Sequence, residues 1–332
     1  MKTESMQESF FRQIKQKIPA HLSMVDEIAN LLNISADSAY RRIRSEKVLT
    51  IDEMQLLAVN YAISLDAFMH IESESYAFSG SLINSTNFRL EDYLKQTIKH
   101  LAMIEQATHK NLYFMNKDIP LFHLFTFPEL ACFKCFFWSR YNLNYSNFNK
   151  GQFVISDFMD MYDKYGSQIC ELYLKIPSTE VWNIDCINTT IRQIDFFRIT
   201  KVFRSNTDII SIYESVEKLI DHLEHQTETG YKFPYKKPAA NTGVKYAVFM
   251  NEYILGDNTA AVEMDDTRIV FLNHSVMNYL YTTNKKLVDY IFDTMYVMLK
   301  KSTLISDVGE KDRQLFFETM RERIYEKKKL VK

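Results

Sequence analysis

A short segment, residues 35–47, carries side chains whose types and spacing suit the binding of another macromolecule. In a helix, Tyr40, Arg41 and Arg44 share one outward face. An arginine guanidinium can donate two hydrogen bonds to guanine or to a phosphate, and tyrosine or serine can reach either group. Lys47, in the following loop, is placed for a backbone phosphate. The segment therefore predicts a nucleic-acid interface, made of Ser35, Ala36, Asp37, Ser38, Tyr40, Arg41, Arg44 and Lys47.

The flanking residues predict the helices that would hold this face in place. Ser23 with Asp26 has the spacing of a helix N-terminal cap, and Asn33 suits the left-handed conformation of a tight turn. Ser35 is expected to cap the next helix, in which small Ala39 allows close helix packing. Thr50 with Glu53 predicts a capping box at the start of a helix over 51–61, and Ser64 precedes a short fifth helix.

The stretches DEIANLLNIS, SAYRRI and LLAVNYAISLDAFM, within residues 5–70, resemble the lambda-repressor-like, or XRE-type, family of helix-turn-helix domains. The resemblance implies a five-helix DNA-binding domain whose third helix, residues 36–45, reads the major groove. The family often has glycine where Asn33 and Glu46 stand in this chain. Asn33 is an acceptable turn residue, whereas Glu46 near a phosphate is mildly unfavourable.

A second interpretation of the same residues is a helical module that binds protein. Arginines on a short helix also occur on solvated faces that contact nothing. The segment as a whole is not strongly basic, because the neighbouring predicted helices carry acidic residues. These acidic residues are Asp26, Glu27, Asp52 and Glu53.

Other residues with chemical potential are weaker candidates. Cys132 and Cys135 form a CxxC motif inside an apolar stretch, and Cys170 and Cys186 do not supply the second pair that a zinc site needs. We therefore expect buried thiols and no metal. His222 and His225 lack an obvious third ligand. Four aspartates suit turns, where they accept local backbone hydrogen bonds, better than catalysis; they are Asp118, Asp257, Asp265 and Asp266.

Composition restricts the class of protein. The chain has 332 residues with 46% hydrophobic and 25% charged side chains and a net charge of −2, so any nucleic-acid contact must be local. No stretch reaches the ~20 apolar residues of a membrane helix, and the polar N-terminus does not resemble a signal peptide. We expect a cytoplasmic protein without a membrane contact or a cofactor.

The pattern of apolar residues predicts a mainly α fold. We expect the helix-turn-helix domain over 1–72, a linker over 73–89, a helical regulatory or dimerisation region over 90–230 and an α+β region over 231–332. Helices are predicted over 90–110, 128–141, 154–166, 167–174, 178–203, 208–225, 274–301 and 310–329, with a strand and buried loop near 111–127. Strands over 245–255, 259–264 and 268–272 predict a short antiparallel meander.

These features favour a sequence-specific transcriptional regulator that binds double-stranded DNA as a homodimer. The C-terminal region would then oligomerise or sense a small-molecule or peptide effector. Three alternatives stay open. They are an interaction adaptor whose module no longer binds DNA, a peptide-responsive helical receptor-regulator, and an enzyme with an accessory DNA-binding domain. The enzyme is disfavoured because no phosphate-binding glycine loop, nucleophile elbow or metal cluster is found.

Overall fold

The computed structural model describes residues 5–19, 21–69, 76–80, 89–143, 151–237, 243–252, 258–275 and 277–331. The chain divides into two compact units, Met1–Ala77 and Phe78–Lys332. Each unit has its own hydrophobic core. We describe the two units separately.

The N-terminal unit contains five described helices around a core rich in phenylalanine. The core includes Phe10, Phe11, Ile28, Ala39 and Leu57, all nearly inaccessible to solvent. The helices are α1 (Met6–Lys17), α2 (Met24–Leu32), α3 (Ala36–Ile43), α4 (Ile51–Asn60) and α5 (Leu65–Met69).

The C-terminal unit is built on a mixed sheet with the strand order β6-β5-β4-β1-β2-β3-β7. Its strands are β1 (Lys110–Asn116), β2 (Ser178–Trp182), β3 (Tyr246–Met250), β4 (Thr259–Met264), β5 (Thr267–Ser275), β6 (Asn278–Thr282) and β7 (Thr303–Leu304). The central strands β1, β2 and β3 are parallel, with Leu112 opposite Ser178 and Ser178 opposite Tyr246. Strand β4 runs antiparallel to β1.

Helices cover both faces of this sheet. They are α6 (Leu90–Glu105), α7 (Leu121–Leu124), α8 (Pro128–Phe137), α9 (Met159–Met161), α10 (Ser167–Tyr173), α11 (Asn188–Ile199), α12 (Asn206–Thr229), α13 (Lys285–Lys300) and α14 (Glu310–Lys328). Trp138–Asn142 and Tyr162–Gly166 are π-helical, and Ile155–Phe158 and Ile184–Ile187 are 3₁₀ turns.

Alternate residues of β1 point to opposite faces of the sheet, as the pleat requires. Leu112 and Phe114 join the large core on the face that also takes residues from α6, α8 and α12. Met115 joins a smaller core with Phe292 and Met295 of α13. The sheet therefore lies between two layers of helices.

The predicted fold class, mainly α with a short antiparallel meander, is wrong, because a seven-stranded mixed sheet organises residues 110–304. The helix predicted over 178–203 is instead β2, a 3₁₀ turn and α11. Four of the five residues of β2 are buried, so the strand lacks the alternation that marks a half-exposed strand. A fully buried strand followed by a helix gives an apolar pattern close to that of one long helix.

The prediction of which strands form the antiparallel meander is also wrong. The strand within 245–255 pairs with β2 and β7, while the antiparallel meander consists of β4, β5 and β6. Strand β6 occupies the start of the helix predicted over 274–301, which begins at Lys285. The helix predicted over 90–110 ends at Glu105, and β1 begins at Lys110.

A buried carboxylate lies at the centre of the sheet. Glu180 of β2 is fully buried and accepts hydrogen bonds from Trp182 Nε1 at 2.8 Å, Ser178 Oγ at 3.1 Å and the Tyr173 hydroxyl. His123 Nε2 lies 3.0 Å from Glu180 Oε2. Burial, the largest single effect, would raise the pKa of Glu180, but His123, the Lys232 charge and the Tyr173 hydrogen bond together outweigh it and lower the pKa to about 2.

Candidate nucleic-acid interface

The predicted interface residues lie on and beside α3, and most are exposed to solvent. At 3.6 residues per turn, positions 36, 37, 40, 41 and 44 fall within an arc of roughly 140°. Ala39 and Arg42 fall outside this arc and are buried. The exposed members of the predicted set are Ser35, Ala36, Asp37, Tyr40, Arg41, Arg44 and Lys47, and Ser38 is half-buried.

Local hydrogen bonds fix the orientation of α3, as the sequence predicts. Asn33 ends α2 with φ 52° and ψ 51°, the left-handed conformation expected of it. Ser35 caps α3 by accepting a hydrogen bond from the Ser38 amide at 3.3 Å. Both hydrogen bonds of the Thr50–Glu53 capping box are present at the start of α4. These caps and this turn are confirmed, and they set the direction in which α3 leaves α2.

Arg42 of α3 faces inward, unlike Tyr40, Arg41 and Arg44, which form the predicted outward face. Its side chain is buried, with 5% of its surface exposed. Nε and Nη2 donate to the two carboxylate oxygens of Glu53 at 3.0 and 2.7 Å, and Nη1 donates to the Ser38 carbonyl at 3.2 Å. The Arg42 hydrogen bond lowers the pKa of Glu53. Arg42 therefore joins α3 to α4 instead of offering itself to a ligand.

The spacing of the sequence contained a signal for this role. Arg42 follows the buried Ala39 by three residues, which places both on the same side of the helix. The arginine count of the segment did not distinguish the inward side chain from the outward ones. Its partner, eleven residues further along the chain, belongs to the next helix.

Helix α1 holds the loop that follows α3. The Gln7 side chain donates to the carbonyls of Arg42 and Lys47 at 2.7 and 2.8 Å and accepts from the Leu49 amide at 3.0 Å. The Lys47 amide donates to the Arg41 carbonyl at 3.1 Å. The backbone of Lys47 is therefore kept next to the end of α3. No local sequence pattern indicates that Gln7 takes part, because its partners lie about 35–42 residues away.

Arg44 has partners within the exposed face. Its Nη1 donates to the Tyr40 hydroxyl at 3.1 Å, and its Nε lies 3.5 Å from a carboxylate oxygen of Glu46. More than half of the Arg44 side chain remains exposed. An ion pair this exposed is weak, so a phosphate can replace Glu46 at little cost. Glu46 nevertheless places a negative charge beside the predicted phosphate contacts.

The weaker candidates of the sequence occupy different positions in the C-terminal unit. Cys132 and Cys135 are buried in α8, where burial raises the pKa of the Cys132 thiol to about 12. His222 is buried beside Phe233 and Tyr235, and burial lowers its pKa to about 4. His225 is exposed, with Nδ1 3.4 Å from Glu228.

Two of the candidate aspartates take part in loop structure. Asp265, at φ 47° in the turn between β4 and β5, accepts a hydrogen bond from the His109 amide at 2.9 Å. Asp118 accepts from the Thr189 hydroxyl and, at 3.5 Å, from Nδ2 of the Asn258 side chain. Asp257 lies outside the described residues. Within the described ranges, no three histidine, cysteine or acidic side chains converge on a possible metal position.

The exposed face of α3, with Lys47 in the loop that follows it, can therefore offer two guanidinium groups, an ammonium group and several hydroxyls to a polyanion. Contacts with α1 and α4 hold this helix in place.

Of the helices described, none is long and apolar enough to cross a membrane. No protein-family model, no curated protein and no solved structure matches the chain.

Proposed function

We propose that the protein is a DNA-binding transcriptional regulator whose N-terminal unit inserts α3 into the major groove. The observation that carries the proposal is the continuous exposed arc of Tyr40, Arg41 and Arg44 on a helix whose opposite side is buried. Both arginines are exposed and can donate paired hydrogen bonds to guanine or phosphate, Arg44 by exchanging its weak contact with Glu46, and Ser35 and Lys47 flank them at either end. The resemblance of residues 5–70 to XRE-type domains supports the same docking.

The rigidity of α3 also favours DNA over an adaptable protein partner. A recognition helix must present its side chains at a fixed angle, since a groove edge does not adjust to it. The Arg42–Glu53 pair and the Gln7 hydrogen bonds hold the C-terminal end of α3, and the Ser35 cap holds its N-terminal end. A single short helix reads only a few base pairs, so we propose that two copies bind a two-fold-related site.

The test is selection from a pool of random duplex DNA with the purified full chain at two salt concentrations, followed by sequencing. We expect enrichment of a palindromic site whose affinity falls steeply with salt. Arg41→Ala and Arg44→Ala should each cost about 1–3 kcal/mol of binding to that site. Arg204→Ala is the matched control, because it removes the same charge from an exposed position of the C-terminal unit.

The competing adaptor function predicts a different result. In that case no sequence would be enriched, and retention of DNA would change little with salt or with removal of Arg41 and Arg44. Equal affinity of both variants and of Arg204→Ala for the selected site would contradict the proposed docking of α3, even if some DNA binding persisted.

A further inference from the structure

A cavity of about 440 Å³ lies in the C-terminal unit, at the carboxyl end of β1. Asn116, Lys117 and Asp118, at and just after the end of that strand, form one side of it. Helices α6, α8 and α11 and strands β4, β5 and β6 supply the other walls. Small-molecule sites in α/β proteins usually lie at the carboxyl ends of parallel strands, and a cavity of this volume holds a small organic molecule.

Most of the lining is apolar and aromatic. Phe114 comes from β1, Leu101 and Ile104 from α6, and Trp138 from the π-helical turn after α8. Phe122 also lines the cavity and stacks on Tyr173, with ring centroids 4.9 Å apart. Such walls favour the aromatic or aliphatic body of a ligand.

One buried amine is among the polar groups of the lining. Lys134 of α8 lines the cavity with only 4% of its surface exposed, and it stands in the apolar run ELACFKCFFW. Its Nζ donates a hydrogen bond to the side-chain oxygen of Gln193 on α11. Within the described part of the chain, no carboxylate lies within ion-pair distance of this ammonium group. Buried charges in proteins are normally paired. A bound anion next to Lys134 would supply the partner that the described side chains do not.

The protonation state of Lys134 is consistent with such a role. Burial lowers its pKa to about 8, against the opposing effect of the Asp118 charge. The amine is therefore mostly protonated at neutral pH. An ammonium group has three N–H donors, of which Gln193 takes one. The remaining donors can bind a carboxylate.

Asp118 does not substitute for that anion. Its two carboxylate oxygens already accept from the Thr189 hydroxyl and, at 3.5 Å, from the Asn258 side chain. The Asn258 side-chain oxygen in turn accepts from the backbone amides of Lys117 and Asp118, at 2.8 and 3.1 Å. Asp118 thus anchors the loop at the end of β1 but keeps its negative charge. Tyrosines aside, the other charged or titratable side chains of the lining are His100, His274 and the exposed Lys117, and Lys134 is the buried cation among them.

We propose that this cavity binds a small monoanionic carboxylic acid with an aromatic or aliphatic body, its carboxylate held by Lys134. The site is independent of the proposed DNA binding, because it can be filled and measured in the absence of DNA. Failure of one proposal would therefore not be mistaken for failure of the other.

Isothermal titration calorimetry of the full chain with two probes tests the proposal. The probes are 3-phenylpropionate and its neutral isostere 3-phenylpropanamide. We expect the acid to bind at least about tenfold more tightly than the amide, since a hydrogen bond to a charged group is worth that much. This comparison uses the unaltered protein and does not depend on any variant folding.

Variants then locate the site. Lys134→Met should weaken binding of the acid about tenfold and leave the amide unchanged, because the substitution removes the charge but keeps an unbranched side chain. Lys218→Met makes the same change at an exposed position of α12 and should alter neither. Affinity for the acid should also fall as pH rises above about 8, where Lys134 loses its proton.

Three results would overturn the proposal. One is equal affinity for the acid and the amide, and another is the absence of measurable binding of the acid at concentrations up to about 1 mM. The third is tighter binding of phenylalanine than of 3-phenylpropionate, which would mean that Asp118 recognises an ammonium group on the ligand.

Discussion

The buried Arg42–Glu53 pair offers the sharpest test of how α3 is held. Replacing Arg42 by methionine leaves a carboxylate without its partner, and breaking a buried pair costs about 3–5 kcal/mol. Glu53 keeps 18% of its side chain exposed, so water can recover part of its solvation. We therefore expect Arg42→Met to destabilise the N-terminal unit by about 2–3 kcal/mol, somewhat less than for a fully buried pair.

The assay must report on the N-terminal unit alone. Both tryptophans of the chain, Trp138 and Trp182, lie in the C-terminal unit, so tryptophan fluorescence does not detect unfolding of α3 or α4. Hydrogen exchange, measured by mass spectrometry on peptides within residues 36–60, does detect the unfolding of α3 and α4. A loss of about 2–3 kcal/mol should accelerate exchange there roughly 30- to 150-fold, with no change in peptides from the sheet.

A double-mutant cycle separates the pair from the other roles of its members. Glu53→Gln keeps a side chain able to cap α4 but removes the charge that Arg42 faces. The interaction energy of the two substitutions should be about 1.5–3 kcal/mol. If both single variants and the double variant exchange within threefold of the unaltered protein, Arg42 and Glu53 do not support α3.

Other predictions address further features. Ala39→Glu buries an unpaired charge between helices and should abolish exchange protection over residues 36–60 while the fluorescence-monitored urea midpoint of the sheet stays unchanged. Glu46→Gln should tighten DNA binding about two- to fivefold at low salt, with the gain lost at high salt, in a fluorescence-anisotropy titration. Gly309→Ala, at φ 74° with its added Cβ 2.7 Å from the Leu304 carbonyl, should lower the stability of the C-terminal unit by at least about 1 kcal/mol in the same urea titration. The pKa of Glu180 is lower in the folded than in the unfolded chain, so its ionised form stabilises the C-terminal unit. This stabilisation should be complete above the unfolded pKa near 4.5 and be lost as the pH falls toward 2. In urea titrations at several pH values, Glu180→Gln should reduce this acid-dependent loss of stability.

The local parts of the N-terminal unit could be predicted because each depends on residues close in sequence. Ser35, Asn33 and the Thr50–Glu53 box act through backbone groups within a few positions, so their side-chain chemistry is sufficient to place them. The role of Arg42 could not be predicted in this way. Its burial depends on a carboxylate in another helix, although its spacing from Ala39 was informative.

The sheet could not be predicted for a different reason. Strand β2 is short and helices cover both faces of the sheet there, so Trp182 is buried in one core and Val181 in the other. The strand therefore lacks the alternation of a strand with one solvent-exposed face. Its position beside β1 depends on residues about 70 positions apart meeting in register. The cavity has the same origin, since Lys134, Gln193 and Asp118 come from three separate elements that only the tertiary fold brings together.

The strand order has a consequence for the order of events during synthesis. Strand β1 needs β4 as a partner, about 150 residues later, and the edge strand β7 reaches β3 only at residues 303–304. The N-terminal unit ends at residue 77 and can fold while the roughly 230 residues up to the end of β7 are still to be translated. At about 5–20 residues per second, that interval lasts roughly 10–50 s. A nascent chain would therefore expose a finished α3 well before the sheet and its cavity exist.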